Sequence, residues 1–211
     1  ENAFASIGEK NPAINVKFLS TARDAEKRLQ IPVWALSVDD WAVLLHASEK
    51  TQVPIISRAL DMIRVFDAPG DDENAKKVKN HIVASVIKDV LSSNENPTTQ
   101  NSKILMTLSK FHTDEIKLDT IIPGNKDADI NNDRGVNTIS KAISLSFAKM
   151  YAPVSLMQFC DTFILPNVND LFSSKDTIPY SLQRFTEAVE FAVLYEGSIN
   201  SSRIYEYTST L

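Results

Sequence analysis

The side chains that could do chemistry in this chain are few and scattered. Four oxygen-bearing residues alternate in Asp127-x-Asp129-x-Asn131-x-Asp133. Alternating oxygen ligands open a calcium-binding loop, but its sixth position is glycine and its twelfth a bidentate glutamate. Here those positions hold Asn132 and Thr138, so a solvated acidic loop is expected. The histidines are His46, His81 and His112, and none has a His or Cys partner at metal-ligand spacing. His46 shares a helical pattern with Trp41 and Leu45, which predicts an ordinary, partly buried histidine. The single cysteine, Cys160, sits in the apolar run MQFCDTF and is expected in the core. No GxSxG elbow is present for a serine nucleophile. The five glycines are isolated, so neither GxGxxG nor GxxxxGK[ST] occurs and no loop can cradle a phosphate. No enzyme, metal or cofactor is expected.

Cations and aromatics remain. Lys141 and Lys149 lie eight apart, on a similar side of one predicted helix, and Arg184 heads a later helix. Such side chains can contact phosphates or simply be solvated. Phe147, Tyr151, Phe159, Phe163 and Phe172 can stack on bases. At their helical spacing such rings more often form a core.

The elements that must position these groups read as helices. The stretch 137–172 is the longest apolar-rich part of the chain. Ile139, Ile143, Phe147, Met150, Val154 and Met157 recur at helical spacing, so a central helix is expected there, with Pro153 kinking or dividing it. Thr21 caps a short helix to Leu29. Ser37, with Asp39 and Asp40 behind it, starts another helix, running to about Glu49. Pro54 opens a third, and residues 74–92 form a fourth. Asn94–Asn101 reads as a loop, Lys103–Phe111 as a short helix and Glu115–Ile122 as a short strand. A last helix runs from Pro179 to Tyr195, burying Leu182, Phe185, Val189 and Ala192 and ending at Gly197.

The expected fold is therefore mainly α: a helical, bundle-like core over residues 21–197 with extended N- and C-terminal arms, 1–20 and 198–211. The core divides at most into lobes 21–93 and 102–197. A chain of 211 residues with 43% hydrophobic residues can bury a real core. One cysteine and no signal peptide favour a reducing compartment. No apolar run reaches the roughly 20 residues that span a bilayer. A net charge of −5 weighs against a strongly basic nucleic-acid binder, although a local groove can still be basic.

Two segments carry a resemblance. Phe147-Ala148-Lys149-Met150-Tyr151-Ala152-Pro153-Val154 resembles the F-x-x-K-Y-A-P-V helix of flexuous filamentous plant virus coat proteins of the potexvirus kind. Ala188-Val189-Glu190-Phe191-Ala192-Val193-Leu194-Tyr195, followed by Gly197-Ser198-Ile199-Asn200, resembles that family's A-F-D-F-F and G-V-T-N. Gly135-Val136 before a helix also fits, and the likeness covers residues 135–200. Related folds occur in nucleoproteins of some negative-strand viruses.

The resemblance implies a structural coat or nucleocapsid protein. Such a protein binds single-stranded RNA without sequence preference, assembles into helical filaments through its terminal arms, and resides in the virion and the host cytoplasm. The family's RNA-contacting arginine falls on Leu145, so Lys149 or Arg184 would supply the phosphate charge. RNA would lie between the central helix and the last helix, near Lys141, Lys149 and Arg184, with Arg134 at the mouth. Glu190, where the family has aspartate, would receive a sugar hydroxyl. Glu187 would hold Arg184 in place. The competing reading, favoured by the acidic balance, is a helical adaptor or scaffold that binds proteins and no RNA.

Overall fold

The computed structural model describes residues 30–67, 73–124, 137–166 and 178–199. After a 3-10 turn at Val33–Ala35 it contains, among the described residues, seven α-helices. These are α1 (Val38–Leu44), α2 (Gln52–Asp67), α3 (Glu73–Ser92), α4 (Pro97–Phe111), α5 (Ile139–Ile143), α6 (Pro153–Asp161) and α7 (Leu182–Ile199). Four two-residue strands complete it: β1 (Ile121–Ile122), β2 (Asn137–Thr138), β3 (Leu145–Ser146) and β4 (Lys149–Met150). The chain is mainly α, as expected. The 1–20 arm, the helix expected at Thr21–Leu29, the acidic segment holding Asp127 to Asp133, and the arm beyond Ile199 lie outside the described residues.

The organising element is α3, not the stretch after Asn137. Val78, Ile82, Val83, Ala84, Val86 and Ile87 are all buried, because α7, α4 and α6 pack around it. Burying each such aliphatic side chain stabilises the fold by about 1.5–3 kcal/mol. One hydrophobic core holds residues from both sides of Asn94–Asn101. That segment is a loop only as far as Asn96. Asn96 caps α4, its side chain accepting from the Thr99 amide at 2.9 Å, and Pro97 occupies the first turn, where its missing N–H costs nothing.

The expected central helix is broken into three pieces. Thr138 caps the short α5, its hydroxyl accepting from the Lys141 amide. The chain then leaves the helix at Ser144 and makes an antiparallel hairpin, Leu145 facing Met150 and Ser146 facing Lys149. Pro153 restarts it as α6. A residue before proline is driven out of the helical region, and Ala152 sits at φ −144°. The Tyr151 and Ala152 amides return to the Ser144 and Ala142 carbonyls, so the break leaves those donors satisfied. The short β1–β2 ladder holds the start of α5, whose first amides reach the Thr120 and Leu118 carbonyls.

The ends of α1 follow capping chemistry. The Ser37 hydroxyl accepts from the Asp40 amide and the Asp40 carboxylate accepts from the Ser37 amide at 2.9 Å. At the other end His46 adopts φ 52°, where glycine usually sits, while the Ala47 amide reaches the Ala42 carbonyl at 2.8 Å. His46 is thus exposed beyond the helix rather than partly buried within it. In α7 the helix continues through Gly197, and Leu182 is exposed. Its buried face is Phe185, Ala188, Phe191, Ala192 and Tyr195.

Candidate nucleic-acid interface

Helix α4 separates the expected site residues into two groups. The Asn101 side chain, near its start, donates to the Ile143 carbonyl at 2.7 Å and fixes the end of α5. The Lys110 carbonyl, near its end, accepts from Arg184 at 3.1 Å. Nine residue steps of helix, about 14 Å along the axis, separate these anchor points. Lys141 and Lys149 belong to the first region, Arg184 to the second.

In the first region α5 and the hairpin bring two expected cations to one small unit. Lys141 is exposed on α5, and its ammonium lies 4.7 Å from the centroid of the Tyr151 ring. Lys149 is exposed on β4, two residues before that ring. Phe147, expected on a buried helix face, occupies the hairpin turn with 98% of its surface exposed. Sequence periodicity missed it as a surface group, because its spacing from Ile143 and Met150 matched a helix. Phe159 and Phe163 behave as expected of core residues, meeting edge to face at 5.2 Å against the core.

In the second region Arg184 is a structural tie and not an open phosphate contact. Its Nη2 meets Asp67 Oδ1 at 2.6 Å and its Nε meets Asp67 Oδ2 at 2.8 Å. Nη1 reaches Glu187 at 3.4 Å, the partner expected three residues on, and the guanidinium lies 4.3 Å over the Phe111 ring. Burial opposes its charge, but the hydrogen bonds and charges of Asp67 and Glu187 outweigh that and raise its pKa above the ordinary arginine value. Glu187 in turn accepts from Lys110 at 2.7 Å and from Gln183 at 3.1 Å, and the Lys110 bond leads in holding its carboxyl below the usual range. Further along, Arg58 pairs with Glu196 at 2.7 Å, so α2 and α7 run antiparallel and α7 is tied near both of its ends. Glu190 is exposed on α7. Arg134 lies outside the described residues. The groove expected between a long central helix and α7 is not formed as such, since α7 packs on α2 and α3 while α5 packs on α6 and the hairpin on α4.

The remaining reactive groups are structural. Cys160 is buried and its thiol is pushed up to about 12, chiefly by burial, so it carries no thiolate at neutral pH. His81 is buried on α3. Its Nδ1 accepts from the Leu165 amide at 2.8 Å, which leaves Nε2 to face the Ser85 hydroxyl. Burial holds its pKa below the ordinary histidine value. No group of His, Cys, Asp and Glu among the described residues could hold a metal ion. No described helix is long and apolar enough to cross a membrane. A cleft lined by Trp34, Leu60, Ile63, Arg64 and Tyr180 lies beside α2. Comparison with protein-family models, with curated proteins and with solved structures finds no match to this chain.

Proposed function

We propose that this protein coats single-stranded RNA as a self-assembling structural protein of the coat or nucleocapsid kind. The observation that carries the reading is the charge of the α5–hairpin region. From Asn137 to Cys160 the chain holds two cations and no Asp or Glu, on a protein whose acids outnumber its Lys and Arg by 27 to 22. Within that region Lys141 and Lys149 stand exposed, Lys141 against the Tyr151 ring. Exposed lysines near aromatic rings suit a single strand, because phosphates supply the affinity and bases can stack. Arg184 has no part in this reading; its charge is already met inside the fold.

Self-assembly has its own support. Val43, Leu44 and Leu45 are consecutive on the end of α1 and are 74%, 62% and 52% exposed. Three adjacent apolar side chains in water favour contact with another surface, and a second copy offering a different face would extend into an open helix. Expression without nuclease treatment tests the whole reading. Purified protein should carry nucleic acid, seen as a raised 260-to-280 nm absorbance ratio that ribonuclease lowers, and electron microscopy should show filaments. Nucleic-acid-free monomers that stay so when RNA is added would favour the protein-scaffold alternative.

A further inference from the structure

We infer that Phe147 is a base-stacking prong, so that the hairpin reads the presence of an unpaired base as well as the phosphate chain. The inference rests on the RNA-binding reading above and goes beyond it in naming the side chain and the moiety bound. Three observations meet at this residue. The turn Phe147-Ala148 joins β3 to β4 by two residues, both left-handed, at φ 49° and 60°. Such turns select Gly, which lacks the straining Cβ, and Asn, whose short side chain offsets the strain with a local hydrogen bond. Here a bulky aromatic takes the first position. It also gains nothing from the core, being 98% exposed. A residue that is both strained and unburied contributes nothing evident to folding, and strain of this sort gathers at binding sites.

What the ring fits follows from its neighbours. Lys149 is two residues away on β4, and Lys141 with Tyr151 lies at the base of the hairpin. No Asp or Glu occurs between Asn137 and Cys160. A planar ring two residues from a cation, with no acid near in sequence, matches a nucleobase joined to a phosphate. In duplex RNA the bases are already stacked on one another, so the prong selects single strands. Stacking on an aromatic ring is tolerant of base identity.

The test uses the full chain, fluorescent oligouridine, and a ribose-phosphate oligomer of the same length without bases. Wild type should bind oligouridine about tenfold more tightly than the abasic oligomer, the order expected for one stacked base. Phe147→Ala should lose that preference and keep its abasic affinity, and Phe147→Tyr should restore it. A Phe147→Ala variant that binds oligouridine as tightly as wild type overturns the inference while leaving RNA binding standing. The same variant binding normally but failing to form filaments also overturns it, and makes Phe147 a protein contact. Wild type that binds neither oligomer removes the RNA reading itself.

Discussion

Arg184 and Asp67, 117 residues apart, form a two-pronged ion pair at 2.6 and 2.8 Å that fastens the start of α7 to the end of α2. The pair is partly buried, and its fork geometry is one that lysine cannot reproduce. The guanidinium also covers Phe111, whose ring stacks on Phe191 at 4.2 Å, so the tie and the aromatic core are one assembly. Arg184→Ala should cost about 2 kcal/mol, between exposed and buried pairs. Arg184→Lys should recover less than half of that. Urea denaturation followed by circular dichroism checks both values, and an unaltered midpoint for Arg184→Ala would return this side chain to the candidates for RNA contact.

Acid should weaken the fold in two stages. His81 has a folded pKa below its unfolded value of about 6.5. Its contribution is therefore full above that value and is lost as pH falls below it, because the unfolded chain binds the proton first. Glu187 also has a lowered folded pKa, so its share is present above about 4.5 and fades at more acid pH. Denaturation midpoints should fall between pH 7 and 5.5. His81→Asn, whose amide oxygen can still accept from Leu165, should flatten that first decline. A variant with the wild-type slope would assign the decline to other groups.

Cys160 should be silent toward thiol reagents in the native state. Its pKa of about 12 and its burial leave neither thiolate nor access. Ellman's reagent should report no reaction over minutes at pH 8, and one thiol per chain in strong denaturant. Rapid labelling of folded protein would mean that α6 opens readily.

Ala148→Gly should stabilise the protein by about 1 kcal/mol, because glycine accepts a positive φ without strain. Thermal unfolding measures this directly. A loss of stability would mean that the turn is not left-handed.

Much of this fold is visible in particular residues. Ser37 with Asp40 announces the start of α1, the four-residue spacing of Val78, Ile82, Val86 and Val90 gives α3, and the Arg184–Glu187 contact follows from helix geometry. The hairpin is hidden because Phe147-Ala148 lacks every usual turn residue, while its neighbours happen to repeat at helical spacing. Asn96-Pro97 signals a cap and first turn as well as it signals a loop, so the start of α4 is ambiguous from sequence. Arg184 reads as a surface cation because its partner, Asp67, is far away along the chain. For the candidate site the sequence shows the cations but not their separation. Tertiary contacts alone put Lys141 and Lys149 on one unit and withdraw Arg184 into the fold.

RNA, if this protein is a coat protein, is held by the α5–hairpin cations. The direct measurement is a salt titration of fluorescent single-stranded RNA against wild type, Lys141→Ala/Lys149→Ala and Arg184→Lys. Affinity of wild type should fall steeply with salt. Removing two phosphate contacts should flatten the log–log slope by about 1.4, at roughly 0.7 per contact on a single strand. Arg184→Lys should leave the slope unchanged. An unaltered slope in the folded double variant, or no RNA binding by wild type at low salt, would contradict the account.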